Sequence, residues 1–302
     1  VANSLNGINL QALAELSVDF LGQTFAPLRS VARDFTGDPS GSGESVVTRY
    51  ASALTAQDLS GGYTASDVTS TSVSISLNNM KGFSMGFTDY EVSRAAGDIN
   101  WLTSVFLQPA YETVVDSIMT EIVSKVVSAN FSNATTSAAS AFDSDDIADI
   151  AGALSGRKVP RGERSMILSP TYYANVQKDT VVGAANTYGG TEGVREYNGN
   201  RVHGFDLYEY TGAINGASST TTSENLQGFA LHPSAIAVAA RFPAAPADSY
   251  VQTESIYDPA VGCPLQLRSW YDATAGKHMV SVACLYGVAV GNAAALQRIK
   301  SA

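Results

Sequence analysis

From Tyr111 to Val127 the apolar residues fall as adjacent pairs at every fourth position: Val114 with Val115, Ile118 with Met119, Ile122 with Val123, Val126 with Val127. This spacing defines one broad apolar face of an α-helix, with Asp116, Ser117, Thr120, Glu121, Ser124 and Lys125 on the other. Pro109 is expected to open the helix, because the first helical position has no use for the N–H that proline lacks. At ~1.5 Å per residue the helix runs about 30 Å, enough for the spine of a domain.

A second constraint lies upstream. Val73, Ile75 and Leu77 alternate with Ser72, Ser74 and Ser76, and Phe83, Met85 and Phe87 alternate with Ser84 and Gly86, so residues 45–92 read as strand around the polar tip AQDLSGGYTASDVTS. A two-stranded ribbon is marginal in water by itself. It is expected to pack on another subunit.

The remaining elements follow from periodicity and punctuation. Leu10, Leu13, Leu16, Phe20 and Leu21 predict an amphipathic helix over 8–22, closed near Pro27 and followed by a breaker cluster at 37–44. After the spine, Ser144 is the expected N-cap of a helix with Asp145 and Asp146 in its first turn, an Ile147, Ile150, Ala151 and Leu154 stripe, and Gly156 as its stop. A strand from Ser165 to Leu168 then meets Ser169 at a cap position and Pro170 at the first helical position. The same order recurs with a strand at 226–231, His232, Pro233 and an expected helix from Ala235 to Arg241, suggesting one α+β unit over roughly 132–247. A further strand is expected near 201–210, between long polar loops around 184–200 and 211–225. Two strands close the chain, LQLRSWYD and KHMVSVACLYGVAVGN, joined through ATAG, the second long enough to pass from one domain into another.

Composition excludes several function classes. The chain has 302 residues, a net charge of -10 and only 18 Lys plus Arg, so the basic footprint that grips phosphate is missing. Charged residues make up 15%, below the roughly 25% usual for soluble domains, which leaves part of the surface to be covered by something other than water. No stretch approaches the ~18 apolar residues of a membrane span, and the first twenty residues lack the pattern of a signal peptide, so a soluble chain with no membrane partner is expected.

The candidate chemistry is sparse. Ser169 follows an apolar run, as a hydrolase nucleophile would, but Ile167 and Thr171 stand where an elbow needs glycines, and Pro170 has no N–H to offer an oxyanion. It reads as a helix cap. His203, His232 and His278 show no metal-ligand spacing, and FDSDDIAD lacks the glycine and closing glutamate of a calcium loop. YGGTEGVREYNG lacks the strand-to-helix setting of a dinucleotide fingerprint. Cys263 and Cys284 flank the final hairpin and are read as two small buried thiols. Asn130 and Asn133 begin glycosylation triplets, which matter only in a secretory compartment. Trp101, Trp270 and the 14 tyrosines are dispersed and are read as core and interface packing. No catalytic, cofactor-binding or metal-ligating residue is assigned, and no enzyme activity or cofactor is expected.

Read together, NLQALAELSVDFL, the ribbon 45–92, PAYETVVDSIMTEIVSKVV, VPRGERSMILSPTYYANVQKD and LRSWYDATAGKHMVSVACLYG are similar in order to the major capsid proteins of tailed bacteriophages, the Hong Kong 97-like fold. The resemblance spans nearly the whole chain and is architectural. It implies an α+β subunit with an N-terminal arm (1–44), an extended β-hairpin loop (45–92), a peripheral domain with the long spine helix and a β-sheet (93–131 and 248–282), and an axial α+β domain (132–247 and 283–302). It further implies a structural coat protein whose main partner is itself, in pentamers and hexamers of an icosahedral shell that encloses double-stranded DNA without gripping its sequence. Such a shell would assemble in the host cytoplasm and end in the virion, with scaffolding, portal and decoration proteins as further candidate partners. Some members cross-link through a lysine of the extended loop; Lys81 is the lone lysine between 45 and 92, and no partner residue matches. An encapsulin-like compartment, a secreted Ser/Thr-rich β binding module and a serine hydrolase are the alternatives.

Overall fold

The computed structural model describes residues 26–40, 44–51, 70–94, 99–179, 201–212, 225–245, 250–257 and 263–301, with a few isolated positions between them. The expected arm helix over 8–22, the loop 184–200, and most of the loop 211–225 and the ribbon tip lie outside these residues.

Two sheets organise the molecule. The first is built on β12 (Lys277–Val290), whose leading part pairs antiparallel with β4 (Asn79–Thr88) on one side and β11 (Pro264–Asp272) on the other. Its trailing part, Leu285 to Val290, pairs antiparallel with β9 (Ile236–Pro243). β10 (Gln252–Tyr257) extends the sheet beyond β11, and β1 (Ala32–Ser40) runs parallel to β9. The second sheet has the order β5 (Ala134–Thr136), β13 (Leu296–Lys300), β8 (Leu226–Leu231), β6 (Arg164–Leu168) and β7 (Phe205–Glu209).

The chain passes between these sheets twice, side by side. β8 leads through a short 3-10 turn at Pro233–Ala235 into β9, and β12 leads through a matching turn at Ala293–Ala295 into β13. The pair β9–β12 of one sheet thereby continues as the pair β8–β13 of the other. At the crossing Gly291 and Asn292 donate backbone N–H groups to Ala235 and Ser234, and His232 donates to the Ala295 carbonyl. Each turn is capped by the side chain before it: His232 Nδ1 accepts from the Ser234 amide and Asn292 Oδ1 from the Ala294 amide.

This arrangement corrects two expectations. Ala235 to Arg241 is not a helix; apart from the turn residue Ala235, the segment lies in β9. All eight residues of β9 are buried, so its apolar run shows no alternation, and its alanines resemble a helix until tertiary burial decides. β12 stays within one sheet along its whole length, and the crossing comes after it.

Helix α1 (Asp89–Arg94) turns the chain from β4 toward the long helix α2 (Ile99–Lys125). Three of the apolar pairs line its buried face, with Tyr111, Val114, Val115, Ile118, Met119, Ile122 and Val123 inaccessible, while Val126 and Val127 lie past its end at Lys125. Pro109, however, lies inside the helix, which begins at Ile99. An internal proline removes one hydrogen-bonded rung and costs ~3 kcal/mol in an exposed helix; here Leu107, Ala110 and Tyr111 on either side of it are buried, and packing carries the helix through. Two tyrosines tie α2 to its surroundings. Tyr286 of β12 donates to the Ser117 carbonyl at 3.0 Å, and Tyr210, just past β7, donates to Asp116 at 2.7 Å.

Helix α3 (Ser144–Gly156) buries Ile147, Ile150 and Leu154, but its cap is Asp143 and not Ser144. A carboxylate reaches two amides where a hydroxyl would reach one: Asp143 accepts from both Asp145 and Asp146, while the Ser144 amide donates to Asp179. Helix α4 (Pro170–Lys178) begins with Pro170 at its first turn, as expected, and buries Tyr172, Tyr173 and Val176.

The ribbon is the antiparallel pair β2 (Ser45–Ala51) and β3 (Ser70–Ser76). Phe83, Met85 and Phe87 belong instead to β4, a strand of the first sheet. The ribbon does not rest wholly on other subunits either. Ile75 and Leu77 at its inner end are buried against Ala237, Ala239 and Leu285 of the chain's own first sheet. The approach is close: a Cβ on Gly287 would lie 2.2 Å from the Ser76 carbonyl oxygen. Gly287→Ala is therefore expected to destabilise the fold by about 1–3 kcal/mol. Gly152→Ala, in α3 with nothing within 4 Å, should stabilise it by about 0.5–1 kcal/mol. Urea unfolding of the two variants beside the parent checks both signs.

Candidate functional site

Among the described residues the serine, the histidines and the acidic run singled out for chemistry do not converge. Ser169 stands at the cap position of α4 in extended conformation but makes no capping hydrogen bond. Its hydroxyl donates instead to Gln227 Oε1 at 3.1 Å, fastening α4 to β8. No histidine or lysine is among its hydrogen-bond partners. The acidic run FDSDDIAD is spent on the α3 cap and on Ser137, whose hydroxyl donates to Asp146. Among the described residues no group of three or more His, Cys, Asp or Glu could hold a metal ion. Trp270 is half-buried in β11, and the Asn130 amide donates to the Lys125 carbonyl at the end of α2.

One polar constellation was not foreseen. Tyr271 donates to Asp89 at 2.8 Å, and His278 approaches the same carboxylate at 3.8 Å with its ring 4.7 Å from that of Tyr271. Asp89 begins α1, while Tyr271 and His278 face each other across the β11–β12 ladder. Asp89 and Tyr271 are exposed and His278 half-buried, so the trio clamps a corner of the first sheet in contact with solvent. Its hydroxyl is engaged by the carboxylate, whose contact raises the Tyr271 pKa further, so it is no activated nucleophile.

What the structure does concentrate is unfilled interaction surface. Among the described strands β4 pairs with β12 alone, leaving its outer edge of backbone N–H and C=O groups open. An edge of this length invites another strand or a cover. Along it Met80 and Phe83 are exposed on opposite faces, and beside it Phe106 of α2 is 47% exposed while stacked 5.9 Å from Phe87. The ribbon continues the same character. Val47 is 55% exposed, and Tyr63, between the two ribbon strands in sequence, is 93% exposed. These large apolar groups lie in and around one sheet edge and one hairpin, a pattern of contact surface rather than of a pocket.

No family model matches the sequence. No curated protein matches it either. Solved structures do. A structure from Mycobacterium phage Che8 matches with a TM-score of 0.56 and 18% identity over 85% of this chain and 84% of that one. The capsid of Cyanophage P-SCSP1u matches with a TM-score of 0.57 and 11% identity over 90% and 86%. The chain has the fold of a phage capsid subunit. A virus-like particle from Pyrococcus furiosus matches as well, with a TM-score of 0.51 and 10% identity over 97% of this chain and 100% of that one. At such identities the likeness lies in the arrangement of elements and not in any run of residues.

Two outcomes follow from the capped turns and from Ser169. Ser169→Ala removes one hydrogen bond to Gln227 and no cap bond, so it should cost about 1 kcal/mol or less, read from the denaturant midpoint. Burial depresses the pKa of His232, with Glu163 opposing and Arg164 reinforcing the shift. A depressed histidine favours its neutral form on folding, so its contribution is complete above the unfolded value of about 6.5 and is lost as pH falls below it. His232→Asn, which keeps a capping side chain, should flatten the loss of stability between pH 8 and pH 5 relative to the parent.

Proposed function

We propose that this chain is the coat subunit of an icosahedral shell, assembling with copies of itself into pentamers and hexamers around double-stranded DNA, and that it acts without catalysis. The observation that carries this reading is the likeness of fold to phage capsid subunits along most of the chain, joined to a ribbon and a β4 edge that pair with no further strand among the described residues. In this reading the domain bounds follow the sheets: the residues before β1 are an arm, the ribbon β2–β3 an extended loop, the first sheet with α2 a peripheral domain, and the second sheet with α3 and α4 an axial domain. The ribbon and arm bury apolar surface on neighbouring subunits, and the axial loops near 184–200 and 211–225 meet around the ring centre. Several thousand Å² shared per subunit would make the contact resemble a core cut in half, where many modest gains sum to a durable shell. The net charge of -10 suits a container that releases its genome, since a lumen rich in cations would hold it.

Ile75 and Leu77 anchor the ribbon's base inside the subunit, so its outer part can be removed without touching that anchor. Deleting residues 55–70 should leave circular dichroism and thermal unfolding of the subunit nearly unchanged while abolishing shells in negative-stain microscopy. Normal shells from the deletion would refute the assembly role. Nuclease-protected double-stranded DNA inside particles made in the host, as opposed to a protein cargo, separates a virus coat from an encapsulin-like compartment.

A further inference from the structure

Cys263 and Cys284 are the two cysteines of the chain. Both are buried free thiols, and their sulfurs lie 3.9 Å apart. Strand parity brings them together. The β11–β12 ladder pairs Gln266 with Ala283, and one step further along that register Leu265 stands across from Cys284. Cys263, two residues before Leu265, faces the same side of the sheet, the side on which Leu267, Val280 and Val282 are buried with the apolar face of α2.

The two sulfurs are held differently. Cys284 sits in the middle of the central strand, paired there with Lys81 of β4. Cys263 precedes β11 and is paired with no strand among the described residues, and Pro264 after it pairs with Tyr257 of β10 rather than with β12. One sulfur is fixed, and the other lies on backbone that no sheet hydrogen bond to β12 restrains. A thiol contact becomes an S–S bond of ~2.05 Å by an approach of about 2 Å, within reach of a side-chain rotation and a small shift at Cys263.

We infer that Cys263 and Cys284 constitute an intramolecular disulfide site, closed by exchange with a small organic disulfide such as oxidised glutathione. The Cys263 sulfur, having lost its proton, attacks one sulfur of the small disulfide; the S–S bond breaks, and one thiolate leaves and takes up a proton. The Cys284 sulfur then attacks Cys263 in the mixed disulfide, its proton passing to the second small thiol as that departs. Two protein thiols are oxidised and one small disulfide is reduced to two thiols. Cys284 lies within the central strand, paired through β4, whereas Cys263 stands at the margin before β11, which gives Cys263 the first step and Cys284 the second; the Cys263 contact and burial, which raise the Cys284 thiol, agree with this order. The bond would tie the start of β11 to the central strand and restrict the unfolded chain between them. This inference is independent of the proposed assembly.

The test uses the folded full-length chain. It is incubated with oxidised glutathione, quenched in acid, unfolded, alkylated and weighed intact. The expected product lacks two hydrogens, carries neither alkyl group nor glutathione, and unfolds several degrees higher than the reduced chain, the gain vanishing on treatment with dithiothreitol. Cys284→Ala should instead accumulate a glutathione adduct at Cys263. Two alkylated cysteines in the parent after prolonged incubation would overturn the inference. So would a stable glutathione adduct on the parent, or a disulfide joining two chains.

Discussion

The double crossing between the sheets is the constraint on which the architecture rests. Each sheet contributes an antiparallel pair, β9–β12 and β8–β13, and the two pairs are the same two stretches of chain seen before and after a turn. Both strands must leave one sheet and enter the other at the same place. Paired 3-10 turns accomplish this while keeping backbone hydrogen bonds across the junction, from Gly291 to Ala235, from Asn292 to Ser234 and from His232 to Ala295. Gly291 is required by the close approach, since a Cβ there would lie 2.4 Å from the Ser234 carbonyl oxygen. With the crossing fixed, α2 is fastened to β12 by Tyr286 and to the end of β7 by Tyr210. The burial that raises both phenol pKa values is the same burial that makes these hydrogen bonds hard to exchange for water.

A physical division of labour follows at the ribbon. Its inner end is part of the subunit's own core, where Ile75 and Leu77 are lost from solvent against small residues, Ala237 and Ala239, that leave room for them. On the opposite face of the same root Val47 remains 55% exposed, and Tyr63, in the segment joining the two strands, is 93% exposed. Folding therefore sets the root and direction of the ribbon, and the outer strands keep apolar and backbone groups unspent. The β4 edge shows the same economy. Met85 and Phe87 pack into the core, whereas Phe83, on the same face two residues before, remains 45% exposed.

Much of this was legible in the chain. The α2 pairs, the α3 stripe, the strands at 226–231 and 264–272 and the turn at 273–276 follow directly from periodicity and punctuation, because each is governed by contacts close in sequence. What escaped depends on distant partners. Ala235 to Arg241 looks like a helix until β1 and β12 enclose it on both sides, and the fully buried run then has no alternation to betray a strand. Pro109 marks a helix start only if nothing upstream is worth burying; Leu107 is, and the helix extends past the proline. Phe83 to Phe87 share the alternation of the ribbon and differ from it only in pairing with β12. The corner of Asp89, Tyr271 and His278 joins residues on α1 and on two strands nearly two hundred positions away, and no local spacing signals it. Ser169 was placed correctly as a helix start, yet its hydroxyl serves Gln227, which periodicity alone would not reveal.

The distribution of cations connects the fold to the proposed role. Arg164 is buried and directs its guanidinium at the Pro160, Ala151 and Val159 carbonyls and the Ser155 hydroxyl. Arg157 donates to Ala153, Leu296 and Gln297, and Arg298 donates to the Phe131 carbonyl. These are neutral acceptors, and the strain of such placement registers in the depressed pKa values of Arg157 and Arg164, burial first and neighbouring arginines second. Cations used inside to join loops, helix ends and strands are unavailable to bind phosphate outside. With only 18 Lys and Arg in the chain against 28 Asp and Glu, and three of the arginines committed to internal acceptors, the surface is poor in cations. In the proposed reading, a surface poor in cations offers a polyanion few sites to hold, and subunits meet through the apolar and backbone groups of the ribbon and the β4 edge. The acidic balance itself is set by composition, 28 Asp and Glu against 18 Lys and Arg, and the inward placement of Arg157, Arg164 and Arg298 deepens it at the surface, which fits the proposed role of a container that holds its contents loosely.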